Sequence, residues 1–112
     1  MPVLNADYST LNFDEMAAQI GLKEKHIPIL IGSFLGEAGE IMPALKDAID
    51  TKNFIEIQSK AHSIKGSAGN LRFIEIYEMT KEIELNAKDK NENFDYNGYF
   101  EAIKVAIATI PN

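Results

Sequence analysis

The sequence predicts an all-α fold, an antiparallel up-and-down four-helix bundle with an additional short N-terminal helix. Apolar residues recur at intervals of three and four along nearly the whole chain, which is the spacing of a buried stripe on a helix. Polar breaks divide that rhythm into four long segments joined by short links, and short links favour antiparallel neighbours. No stretch of useful length alternates apolar with polar residues as a half-buried strand would.

The elements follow in chain order. An amphipathic piece, Phe13 to Ile20, starts after Asn12 as a possible cap and stops at Gly21, so it should cover one end or side of the bundle. The next stripe runs through Ile27, Ile31, Phe34, Ala38, Ile41, Leu45 and Ala48. It is the weakest helix. Gly32, Gly36 and Gly39 each cost about 1 kcal/mol relative to Ala, and Pro43 deletes a backbone hydrogen bond. A bend near Gly39 and Glu40 is therefore expected. Because the apolar rhythm stays in phase on both sides, one kinked helix is favoured over two helices meeting at Pro43. Asp50 and Thr51 supply N-cap candidates for the third segment, whose stripe is Phe54, Ile57, Ala61, Ile64, Ala68 and Leu71. The fourth carries Phe73, Ile76, Thr80, Ile83 and Ala87, and the polar connector Asp89 to Asn93 leads to the fifth, with Tyr96, Phe100, Ile103, Ile107 and Ile110. No linker splits the chain, so residues 1–112 read as one domain.

Composition narrows the function classes. With 46% hydrophobic and 25% charged residues the chain should fold alone. A net charge of −6 argues against binding nucleic acid or an anionic membrane surface, both of which need clustered Lys and Arg. The absence of cysteine removes disulfides, thiolate metal sites and thiol nucleophiles, and fits a reducing compartment. The longest apolar runs, such as Ile27 to Ile31, fall far below a membrane span, and the N-terminus lacks a basic region followed by an apolar one. The expected location is the cytoplasm.

One passage stands apart, "AHSIKGSAGNL" from Ala61 to Leu71, where two glycines, a serine and an asparagine crowd a helix that should prefer other residues. The core stripe passes through Ala61 and Ile64, so His62, about 100° further round, lies at the edge of the buried face or beyond it. Lys65 and Gly66, three and four residues on, share its surface; Gly69 continues the row and Gln58 flanks it from the preceding turn. An exposed neutral imidazole can attack phosphorus without a separate base. A neighbouring ammonium can offset the charge of a phosphoryl group in transit, and bare glycine leaves room for another protein to close over the ring.

Other chemistries fit less well. Two distant histidines without cysteine do not make a zinc site, and His26, just before Pro28 at a helix start, has no comparable setting. Glu37, Glu40, Asp47, Glu75, Glu78, Glu82 and Glu84 read mostly as solvated helix faces, while Met16, Met42 and Met79 read as core. The "GSAG" run follows a helix and lacks the ending of a phosphate loop.

The passage resembles the signature of histidine-containing phosphotransfer (HPt) domains, the intermediates of two-component phosphorelays. The resemblance implies the same helical bundle over nearly the whole chain. It implies that His62 is the phosphorylated residue, Lys65 the phosphoryl-stabilising lysine and Gly66 the small residue that lets a receiver domain dock. Gln58, Ser59, Ser63, Ser67 and Gly69 would join the docking surface, together with the short first helix if it packs nearby. The expected partners are response-regulator receiver domains and a hybrid sensor histidine kinase, with the chain acting as a monomeric carrier and not as an enzyme. No cofactor is expected in this chain, since the receiver supplies the aspartate and Mg²⁺. The run from Met1 to just past the last helix reads as a stand-alone protein. Some family members place a polar residue on the next helix that bonds the imidazole and sets its tautomer; by spacing that residue is Glu84. Arg72 stands where members commonly have Gly, so either Arg72 adopts a positive φ or Asn70 takes the left-handed role. The rival function is a helical adaptor whose His62 is never phosphorylated.

Overall fold

The computed structural model describes residues 1–111. The elements are α1 (Phe13–Ile20), a 3₁₀ turn (Glu24–His26), α2 (Ile27–Asp50), α3 (Phe54–Asn70), α4 (Ile74–Lys88) and α5 (Tyr96–Ala108), with no strand among the described residues. Each long helix packs on the next, and α5 returns to α2, closing a four-helix bundle; α1 and the 3₁₀ turn lean on the start of α2.

Local chemistry sets the helix limits. The Asn12 side chain accepts from the Glu15 amide at 3.1 Å, and α1 ends at Gly21 in the left-handed conformation, φ 83°. The N-cap of α3 is Asn53 and not the Asp50–Thr51 pair: Asn53 accepts from the Glu56 amide at 3.2 Å, while the Thr51 hydroxyl turns back to the Asp47 carbonyl and closes α2. Asp95 caps α5 through the Gly98 amide.

Helix α2 is continuous through Pro43 for its 24 residues. Its buried stripe is Ile27, Ile31, Phe34, Ala38, Met42, Leu45, Ala48 and Ile49. Met42 occupies the place expected of Ile41, which lies half-buried at the edge. After Ala38 the interval is four residues where three had been assumed, the choice a 3.6-residue period leaves open on every turn. By length and composition this helix could cross a membrane, and its apolar stripe is occupied by the bundle core. The chain before α1 adds to that core as well. Tyr8 is buried against the Phe73 ring at 4.8 Å and donates to Glu75 Oε1 at 2.7 Å, tying the N-terminal segment to the start of α4.

All three bundle corners use one device. Lys52, Arg72 and Lys90 adopt φ of 53°, 62° and 53° just past the ends of α2, α3 and α4. At each corner the amide of the following residue reaches back to the last turn, Asn53 to Ala48, Phe73 to Ala68 and Asn91 to Asn86. These are Schellman turns with a basic residue where Gly is usual. Arg72 recovers part of the steric cost by donating from its guanidinium to the Gly69 carbonyl at 3.1 Å. Lys90→Gly should therefore stabilise the bundle by about 1 kcal/mol, and Arg72→Gly by less, since it also loses that hydrogen bond. Urea midpoints of the two variants test the ordering; a destabilised Lys90→Gly would show that the corner carries no steric cost.

Candidate functional site

The rotation of α3 is fixed by Ile57, Ala61, Ile64 and Ala68, all essentially solvent-free. His62 follows Ala61 by 100° and so emerges beside α4 with its side chain 67% exposed. On α4, Ile76, Met79, Thr80, Ile83 and Ala87 face the core, and Glu84, one residue past Ile83, projects toward α3. The helices lie close because Gly69 has no side chain: a Cβ there would sit 3.1 Å from the Tyr77 ring.

That approach brings three groups together. Glu84 Oε2 lies 2.6 Å from His62 Nδ1, and Glu84 Oε1 lies 2.5 Å from Lys65 Nζ. One carboxylate is shared between imidazole and ammonium. Burial pushes the Glu84 carboxyl up, but the hydrogen bonds and charges of Lys65 and His62 outweigh it, and the group is held below its ordinary range. An ionised carboxylate only accepts, so Nδ1 of the neutral ring carries the proton and Nε2 keeps its lone pair. The ring is anchored through one nitrogen and nucleophilic at the other.

The remaining expected residues divide by face. Ser59, Ser63 and Gly66 are exposed along the outer side of α3, with the Ser63 hydroxyl donating back to the Ser59 carbonyl, and Gln58 is half-buried one turn before His62. Ser67 turns toward α2 and donates to Glu37 Oε1 at 2.8 Å, while Gly69 belongs to the seam with α4. Helix α1 lies away from the imidazole: its end borders a hollow of about 520 Å³ with Leu22, Leu30, Ser67 and Leu71. A smaller cleft of about 340 Å³ runs between α3 and α4 from Lys65 and Gly66 to Arg72 and Ile74. Sequence reasoning passed over Ile55 and Leu85, which are 74% and 50% exposed. Ile55 precedes His62 by two turns and Leu85 follows Glu84; the heptad spacing of Ile55 and His62 was the available signal. Among the described residues no group of three or more His, Cys, Asp or Glu side chains is placed to hold a metal ion.

A model of the Hpt domain matches residues 29–109, which span α2 to α5. The chain belongs to the Hpt domain family. No curated protein and no solved structure matches it. Hpt domains carry phosphoryl groups on histidine in phosphorelays, working with the receiver domains and kinases of two-component systems. In this Hpt domain the two glycines nearest the imidazole have different reasons. A Cβ on Gly69 would press on the Tyr77 ring at 3.1 Å, whereas one on Gly66 would meet nothing within the chain.

Gly66→Ala should therefore stabilise this Hpt domain by about 1 kcal/mol, whereas Gly69→Ala, which asks the Tyr77 ring to yield by a few tenths of an ångström, should gain less than Gly66→Ala, both measured by thermal unfolding. A second outcome concerns acid. Because the folded carboxyl of Glu84 sits below its unfolded value, its contribution is complete above about pH 4.5 and is lost as pH falls through the folded value. The stability gap between wild type and Glu84→Gln should accordingly close on acidification, and a gap that persists at low pH would contradict the assignment of an ionised Glu84.

Proposed function

We propose that this chain is a phosphorelay carrier whose His62 accepts a phosphoryl group from the aspartyl phosphate of one receiver domain and passes it to another. The single observation that carries the reading is an exposed imidazole anchored through Nδ1 to Glu84, which leaves Nε2 free toward solvent. In-line attack by Nε2 needs no separate base, because the lone pair is already available. Lys65, held on the other oxygen of the same carboxylate, is the cation closest in sequence to the ring on its own face of α3; moving to the phosphoryl oxygens would offset their charge in transit. Gly66 leaves the approach to Nε2 open, and the line of Ile55, Ser59, His62 and Gly66 along α3 offers the partner apolar and small contacts.

The chain supplies the nucleophile, and the receiver supplies the aspartate and Mg²⁺; no cofactor is assigned to the bundle. The donor is a hybrid sensor kinase's receiver and the acceptor a response regulator, both in the cytoplasm, with the chain acting as a monomer. At a net charge of −6 there is no long-range attraction to an acidic partner, so docking rests on short-range complementarity.

Incubation with a receiver phosphorylated on its aspartate should transfer acid-labile, base-stable label to wild type and none to His62→Gln. Lys65→Met should slow the transfer by about tenfold or more. Label that persists in His62→Gln, or a folded wild type that takes no label from any receiver of the same cell, would leave the adaptor reading in its place.

A further inference from the structure

The cleft between α3 and α4 holds a cation at each end and no carboxylate along its walls. It opens at Lys65 and Gly66, one turn from His62, and closes at Arg72 and Ile74. We infer that this cleft receives a short acidic segment of the docking receiver domain, and that Arg72 is a specificity-determining residue that holds a carboxylate of that segment. This rests on His62 being the phosphoryl carrier, and it names the part of the partner by which the carrier tells one receiver from another.

The backbone sets the shape. From Lys65 to Arg72 the helix rises about 10 Å, a length that about three residues of extended chain would fill. Gly66 and Gly69 leave the α3 wall bare, while Tyr77 and Ile74 form the α4 wall, with Ile74 54% exposed and available for apolar contact. Arg72 turns the chain at φ 62°, and its guanidinium folds back over the end of α3, where Nη1 donates to the Gly69 carbonyl at 3.1 Å. A guanidinium carries five N–H donors in one plane, and this bond uses one of them. Among the ion pairs of the described residues none includes Arg72. The basic residues at the other two corners are placed differently: Lys52 pairs with Glu92, and of the three only Arg72 lines the cleft beside the imidazole.

Charge decides what the cleft takes. The chain carries a net charge of −6, yet no Asp or Glu lines this cleft. The nearest acidic side chains on α4 are engaged elsewhere: Glu75 accepts from Tyr8, and Glu84 lies between Lys65 and the His62 ring. Lys65 therefore has a partner in the resting protein, and Arg72 has only a carbonyl. Lys81, one heptad past Ile74, adds an exposed cation on the same side of α4. A basic segment would be repelled here, and a neutral one would leave the guanidinium unmatched. A carboxylate fits the planar fork through two parallel hydrogen bonds. The occupant belongs to the receiver because the mouth of the cleft is at Gly66, and a domain that closes over Nε2 of His62 covers that turn. Arg72, ten residues further along the chain and past the end of α3, takes no part in the transfer itself and acts on which partner is held.

The test follows single-turnover transfer to the full chain from phosphorylated receivers of the same cell at rising receiver concentration, for wild type, Arg72→Gly and Arg72→Lys. Glycine suits the positive φ of this corner, and lysine keeps the charge without the fork in a conformation that Lys52 and Lys90 already adopt. Arg72→Gly should raise the half-saturating receiver concentration about fivefold or more while the limiting rate stays the same, as loss of a charge-assisted contact requires. Arg72→Lys should recover part of that loss. Added salt should weaken wild type more steeply than Arg72→Gly, and the spread of efficiencies among different receivers should narrow in Arg72→Gly. Equal half-saturation for wild type and Arg72→Gly at low salt would overturn the inference, as would a defect confined to the limiting rate, which would place Arg72 in the transfer step. A wild type that no receiver labels removes the carrier reading and this inference with it, whereas a labelled wild type matched by Arg72→Gly removes this inference alone.

Discussion

Between α3 and α4 the backbones approach so closely that a methyl group at Gly69 would press on the Tyr77 ring, and this contact lets a side chain as short as glutamate join the two helices. Had α4 stood one residue's width further off, Glu84 would have faced water, and neither Nδ1 of His62 nor the Lys65 ammonium would have had a partner. The seam is kept in register by small and β-branched residues on both sides, Ala61, Ile64 and Ala68 against Ile76, Thr80 and Ile83. Thr80 is fully buried yet costs little, since its hydroxyl donates within its own helix to the Ile76 carbonyl. Core packing thus sets an angle and a depth, and the polar cluster at the surface inherits both.

The cluster matters because the ionic contacts elsewhere on the surface are weak. Lys46–Asp50, Lys52–Glu92 and Lys60–Glu56 are exposed pairs, each contributing at most a fraction of a kcal/mol on the order of 0.2–1. Glu84, held between Lys65 and the His62 ring, is shielded, and its depressed ionisation reflects a difference between folded and unfolded surroundings. An anchored imidazole loses rotamers that a free surface histidine would keep, so its unbonded nitrogen is held in one direction. The strained corners carry no such benefit. Lys52 and Lys90 hold positive φ simply to turn the chain, and the bundle tolerates it because the helices they join are well packed.

Much of this was legible in the sequence. Five helices, the limits of α1 and the outward position of His62 follow from a rhythm of three and four with Asn12 and Gly21 at the ends, because periodicity reports which way a side chain points relative to its own helix. Glu84 could be placed by spacing alone, one residue past the core position Ile83. What periodicity cannot report is competition between equivalent choices. Met42 and Ile41 are both apolar and adjacent, and packing against three other helices decided for Met42. Asn53 displaced Asp50 and Thr51 as the cap because α2 ran on to Asp50, which only tertiary contacts determine. Contacts across long sequence separations were equally hidden: nothing near Tyr8 announces that its hydroxyl will meet Glu75, and nothing near Gly69 announces Tyr77.

The two glycines beside the imidazole separate what folding requires from what it does not. Gly69 has an internal contact to account for it, since a methyl group in place of its hydrogen would press on the Tyr77 ring of α4. Gly66 has none: it weakens an interior helical turn by about 1 kcal/mol and leaves open space where Ala would fit. A destabilising residue with no internal reason, one turn from a nucleophile whose free nitrogen faces outward, points to a constraint imposed from outside. In the proposed carrier reading that constraint is a receiver domain closing over His62, for which the bare turn at Gly66 leaves room. The Gly32, Gly36 and Gly39 positions on α2 also have free space around them, but no reactive group adjoins them, and nothing in the bundle explains them. It is the pairing of an open turn with an anchored ring that sets the α3 surface apart and on which the proposed docking rests.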